Sequence, residues 1–212
     1  MDKKNKLTII LTSLICLVPF VISAIYYKEL PDMVATHFNN SGQPDGYSSK
    51  LVAAFGIPAS LLVVNLITNF TIEKNPMNGK GGKILSAIGI WTLPFTSIIV
   101  ETAIIAYARG IRINFSSYVF VFVGLLTIVV GNYLPKCEYN SVVGIKTPWA
   151  LKDKDNWKKT HRISGFIWVI GGFILCINAF AGIEALNITV ILAMVIIPFV
   201  WSYLLSRKNV RV

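Results

Sequence analysis

Charge is the first thing this sequence has little of. Asp, Glu, Lys and Arg make up only 14% of its 212 residues while hydrophobic types reach 54%, whereas a soluble domain carries about 25% charged residues. An ordinary soluble fold is excluded. Cysteine is also scarce. Cys16, Cys137 and Cys176 fall in different elements with no metal-type spacing, which excludes a disulfide framework. Histidine occurs twice, as His37 and His161. His-Glu-x-x-His, Gly-x-Ser-x-Gly and paired acids within an apolar run are missing, so hydrolase signatures are absent. No cofactor, metal or enzymatic activity is expected.

What the sequence does have is apolar length. A hydrocarbon core of about 30 Å needs roughly 20 apolar residues per helical crossing, and six runs supply them: residues 7–27, 51–71, 84–108, 115–134, 163–181 and 188–205. The first run exceeds the usual ~7–15 residues of a signal peptide's apolar region and is expected to remain as a crossing. Pro58 is expected to kink the second, and the third is long enough to tilt. A Pro-Phe pair recurs at Pro19, Pro94 and Pro198. The expected fold is all-α, a polytopic membrane protein of one domain. Residues 1–83 form its first helix pair with an extracytoplasmic loop, and residues 84–212 a four-helix part holding the polar loop 131–165.

The formal net charge of +10 is explained by sidedness. Sixteen of the twenty Lys and Arg fall at the termini, near Lys74 to Lys83 and in the loop 131–165, and four (Lys28, Lys50, Arg109, Arg112) on the other side. The positive-inside rule then makes both termini and the loop 131–165 cytoplasmic. Anionic lipid becomes the expected partner of the basic surface, and direct nucleic-acid binding loses its support. The same topology puts His37 and His161 on opposite sides, excluding a shared metal site or dyad.

Three places carry polar chemistry. In the outer segment 28–50, Leu30-Pro31, Asn39-Asn40-Ser41-Gly42 and Pro44-Asp45-Gly46-Tyr47 are turn signals, with residues 33–38 briefly extended between them; His37 lies near Asp32 and Asp45. Glu101 is the one formal charge deep within a crossing, so it faces the bundle interior or water, as a functional group or as a hydrogen-bonded packing residue. In the loop 131–165, Pro135 ends the fourth helix, and Asn140, Ser141, Gly144 and Pro148 signal turns. Asp153 or Asp155 caps a helix running into the fifth crossing. On that helix Trp157 and His161 share a face, Lys158, Lys159 and Arg162 reach for lipid phosphates, and Trp149 and Trp157 read as interface anchors.

The order Gly131-Asn132-x-Leu134-Pro135-Lys136, then Asn140, Gly144-Ile145-Lys146-Thr147-Pro148-Trp149-x-Leu151, then Trp157-x-x-Thr160-His161 resembles the SdpI family of bacterial membrane proteins. The outer segment, with Leu30-Pro31, His37-Phe38-Asn39, Gly42, Pro44-Asp45 and Lys50, is similar to the uncharacterised N-terminal domain often fused to it. Departures are modest: Ala150 stands where the family has Thr, and residues 152–154 are more basic. The resemblance implies a six-helix protein of the bacterial inner membrane that protects its host from a secreted antimicrobial peptide toxin. It also implies signalling by holding a small transcriptional repressor at the membrane. The residues by themselves leave two alternatives open: a small-molecule or ion transporter built around Glu101, and a membrane enzyme using His161 or Asn132.

Overall fold

The computed structural model describes residues 3–39, 42–75, 79–111 and 114–209. The chain runs α1 (Lys3–Tyr26), a 3-10 turn (Tyr27–Glu29), strands β1 (Met33–Phe38) and β2 (Pro44–Ser49), a π-helical turn (Val52–Gly56), α2 (Ile57–Lys74), α3 (Gly79–Ala108), α4 (Phe115–Tyr133), a 3-10 turn (Leu134–Lys136), α5 (Lys154–Ala181) and α6 (Glu184–Asn209). Among the described residues six helices are long and apolar enough to cross a membrane. Helices hold 78% of the residues, so the expected all-α class stands.

One reading of the outer segment needs correction. Pro44 to Tyr47 belong to a strand, not a turn, and pair antiparallel with β1, Ala35 facing Tyr47 and His37 facing Gly46. The register slips between Ala35 and His37. Gly46 is there for contact: a Cβ on it would lie 2.8 Å from the Cβ of His37, a close approach of the kind that glycine in a strand marks. The turn itself is tighter. The Gly42 amide bonds the Asn39 carbonyl at 2.9 Å, and Gly42 has φ +75°; Asn40 and Ser41, like Arg112 and Arg211, lie outside the described residues. Pro58, expected to kink the second crossing, lies inside a helix that runs unbroken from Lys50 to Lys74. The distortion lies just before it, in the π turn Val52–Gly56.

The described residues form two compact units, 1–76 with 87–116 and 77–86 with 117–212. A boundary at residue 83 was expected; most of α3 instead joins α1 and α2, to which it is bonded through Ser23–Glu101 and Asn65–Ile90. In the first unit the hairpin seats Leu30 and Val34 on Ala53, Ala54, Ile104 and Ile105. Edge contact of Phe38 with Tyr107 (4.9 Å) and the Arg109–Glu29 pair at 2.8 Å hold it there.

In the second unit α4 and α5 meet through glycines. A Cβ on Gly131 would come within 2.9 Å of the Gly165 carbonyl oxygen, and one on Gly124 within 2.7 Å of that of Gly172, so small residues seven apart let two backbones touch. The α5–α6 link is short because Gly182 ends α5 at φ +69° and Asn178 bonds both Ile183 and Asn187. The recurrent prolines find a physical role here. A proline in a helix frees the carbonyl four residues earlier; for Pro198 that is Met194, whose oxygen accepts the Trp168 indole N–H at 3.0 Å. For Pro94 it is Ile90, bonded by the Asn65 side chain in the first unit at 3.4 Å.

Candidate functional site

In the second unit the polar segment after α4 is folded onto the start of α5 and the end of α6. Asp153 caps α5, its carboxylate accepting the Asp155 amide at 2.8 Å, so α5 begins at Lys154 and runs without a break to Ala181. Its first three turns direct Asn156, Trp157, Thr160, His161 and Ser164 inward. Trp157, expected as an interface anchor, is 2% exposed and gives its indole N–H to the Cys137 carbonyl at 3.0 Å. It stacks on His161 with ring centroids 4.0 Å apart, and Tyr139 meets its edge. The shared face of Trp157 and His161 is therefore real, but it faces the protein. Trp149 is half-buried and packs on Phe199 and Tyr203 of α6.

His161 has both ring nitrogens occupied. Nδ1 lies 2.9 Å from the Trp157 carbonyl, which can only accept, and Nε2 accepts the Ile145 amide at 3.0 Å. A neutral ring with the proton on Nδ1 satisfies both bonds. Gly144 makes this possible. It has φ +126°, and a Cβ there would run into Nε2 of His161 and the Trp157 ring. Asn140 closes the preceding turn by accepting the Val142 and Val143 amides at 2.9 and 2.7 Å and donating to the Glu138 carbonyl at 2.9 Å.

A second set of bonds ties the segment to α6. Thr147 accepts the Ala150 amide at 3.1 Å and lies 2.5 Å from the Ser202 hydroxyl. Ser202 in turn donates to Asn156 Oδ1 at 2.7 Å, and the Asn156 amide donates to the Ser202 carbonyl at 2.8 Å. Thr160 completes the set with a 3.0 Å bond to the same Oδ1. Ser202 and Asn156 were not singled out from sequence; a serine within the apolar stretch of α6 was the available signal. We call this arrangement the clasp.

Asn132, Pro135, Lys136, Pro148, Lys158 and Lys159 are exposed around the clasp, as are Lys146, Lys152, Lys154 and Arg162. Lys159 pairs with Asp155 at 2.7 Å. Cys137 is buried; desolvation pushes its thiol pKa up, the Asn140 side-chain N–H opposes this, and the Glu138 carboxylate adds to it.

In the first unit the hairpin exposes His37, Asp45, Tyr47 and Met33. His37 Nδ1 meets Asp45 Oδ1 at 2.5 Å across the strands, which points Nε2 outward. Asn39 is tied to the Ser116 hydroxyl at 3.1 Å and to the Gln43 amide at 2.9 Å. Leu30 is buried, Pro31 exposed and Pro44 half-buried. Among the described residues no group of three or more His, Cys, Asp or Glu is placed to hold a metal ion.

Residues 136–205 match the SdpI/YfhL protein family, and residues 14–62 match a domain of unknown function (DUF1648). The chain is also 28% identical over 204 residues to the protein named Immunity protein SdpI of Bacillus subtilis (strain 168), covering 96% of this chain and 94% of that one. No solved structure matches. The first match spans the clasp and its partners on α6; the second spans most of α1, the hairpin and the π turn. The chain is a multi-pass membrane protein.

Proposed function

The chain belongs to the SdpI/YfhL protein family through residues 136–205, and from that premise we propose that it is an immunity protein of the bacterial inner membrane, protecting its host from a secreted antimicrobial peptide. The observation that carries the reading is that similarity to an immunity protein runs through the hairpin and the clasp alike. The charge distribution supports cytoplasmic termini, a cytoplasmic clasp and an extracytoplasmic hairpin. On this reading the hairpin is the toxin-side surface. Met33 and Tyr47 offer apolar area and His37–Asp45 a polar pair.

The division of labour at the clasp changes from the sequence reading. His161, Trp157, Thr160, Asn140, Gly144, Ile145 and Thr147 spend their polar groups or their space on holding the segment. Readout therefore belongs to the exposed rim, with Lys146, Lys152, Lys154, Lys158 and Arg162 facing lipid phosphates or a small repressor. The test measures survival under added toxin and the membrane-bound fraction of a candidate repressor, at matched expression. Tyr47→Ala and Asp45→Ala are expected to lower survival and, through it, recruitment, while Lys158→Ala with Arg162→Ala lowers recruitment and spares survival. The opposite order overturns the two-sided reading.

A further inference from the structure

The first unit hides a carboxylic acid. Glu101 is 0% exposed within the apolar span of α3. One of its oxygens accepts the Ser23 hydroxyl of α1; the other, Oε2, has no hydrogen-bond partner among the described residues. One turn earlier on the same face, the buried Ser97 hydroxyl is likewise unpartnered.

The charged groups of the elements around Glu101 are committed elsewhere. Arg109 pairs with Glu29, Lys50 with Asp32 and His37 with Asp45. Glu73 and Lys74 lie at the far end of α2. Lys3, Lys4 and Lys6 belong to the first turn of α1 and Lys80 and Lys83 to the first turns of α3, far along those helices from Glu101, and Lys28 is exposed in the turn after α1. The remaining titratable groups are Cys16 and Tyr26 of α1, Tyr27 of the turn after it, Tyr47 of β2 and Tyr107 of α3. Among the described residues no Lys, Arg or His forms an ion pair with Glu101. An unpaired carboxylate in such surroundings takes up a proton instead of staying charged.

The two directions away from Glu101 differ. Toward the hairpin, within one turn, Ile104 and Ile105 join Leu30, Val34, Ala53 and Ala54 in an apolar core. Away from the hairpin runs a file of buried small and polar residues. On α1 Thr12, Cys16, Pro19 and Ser23 are all buried at the i, i+4, i+7, i+11 spacing of one helix face. On α2 Asn65 and Asn69 are buried. The Asn69 amide donates to Asn65 Oδ1 at 3.1 Å and to the Thr12 hydroxyl at 3.3 Å, and Asn65 reaches the Ile90 carbonyl of α3. Buried polar groups in a lipid-facing bundle are costly, and they mark ion and proton pathways.

We propose that Glu101 is a proton-exchange site open to one side only: reached from the Thr12–Asn69 end along this file and closed at the hairpin end by the apolar core. The step is a plain acid–base exchange. The O–H bond of the Glu101 carboxylic acid breaks, its electron pair stays on the carboxylate, and the proton passes along the file to water. This inference does not rest on the immunity reading.

Dicyclohexylcarbodiimide, which couples to the protonated form of a buried carboxyl, tests it. The full chain is reconstituted in sealed lipid vesicles in one orientation, with the pH set separately on the two faces. Mass spectrometry is expected to find coupling at Glu101 that falls as pH rises on the Thr12–Asn69 side and does not respond to pH on the hairpin side. Glu101→Gln loses the coupling. Asn69→Leu and, separately, Thr12→Val are expected to slow the response to a pH jump about tenfold, the rate equivalent of one lost hydrogen bond. Coupling that ignores pH, that follows the hairpin side, or whose response is unchanged in both file variants overturns the proposal.

Discussion

Removing the Trp168 indole N–H tests whether intramembrane prolines here are sustained by side chains from neighbouring helices. Pro198 has no amide to give the Met194 carbonyl, and Trp168 supplies the bond at 3.0 Å. Trp168→Phe keeps a flat aromatic ring but orphans that oxygen, and a buried unsatisfied acceptor costs about 1–3 kcal/mol. In Pro198→Ala the new amide can reach Met194, so the same Trp168→Phe change is expected to cost less. Interhelical hydrogen bonds in membranes average ~0.6 and reach ~1.7 kcal/mol, which sets the coupling expected from the double-mutant cycle. Reversible unfolding of the four proteins in mixed micelles provides the measurement. Equal costs of Trp168→Phe in the two backgrounds, within about 0.3–0.5 kcal/mol, would refute the reasoning. The Asn65–Ile90 bond beside Pro94 is longer, at 3.4 Å, and should give a smaller coupling.

Three further outcomes follow from the clasp. Gly144→Ala forces a side chain into φ +126° and against His161 and Trp157; a backbone strain of about 1–3 kcal/mol is expected to lower the thermal midpoint in micelles, whereas Lys158→Ala leaves it unchanged. Cys137, buried and with its thiol pKa raised by desolvation, holds less of the reactive thiolate at neutral pH. In opened cells its maleimide labelling should be about tenfold slower than that of an exposed thiol placed by Lys152→Cys, and should still climb above pH ~8.5, where an ordinary thiol levels off. In intact cells Lys152→Cys should resist an impermeant maleimide, and labelling there overturns the cytoplasmic orientation.

The helices were legible because apolar length is a property of each segment alone. The cap at Asp153 and the shared face of Trp157 and His161 were legible for the same reason, as local spacing rules. What the residues could not tell was direction and partnership. Trp157 looked amphipathic enough for an interface, yet the Cys137 carbonyl that takes its N–H comes from a segment twenty residues away. Strand β2 escaped notice because Pro44, Asp45 and Gly46 are turn formers by local chemistry, and the pairing with β1 that makes them a strand is non-local. The Pro-Phe pairs were visible, but Asn65 and Trp168, which bond the freed carbonyls, lie on other helices. Ser202 was hidden because nothing in its own apolar run marks it off from Thr189, and its partners Asn156 and Thr147 lie far away in sequence.

The most direct measurement is survival. A bacterial strain killed by a secreted antimicrobial peptide toxin and lacking its own immunity protein is given this chain, or an empty vector, and challenged with added toxin. Membrane abundance is followed in parallel. Protection by the chain, lost in Tyr47→Ala with Asp45→Ala at equal abundance, is the predicted result; equal killing of cells with and without an abundant, membrane-inserted chain would contradict the immunity reading.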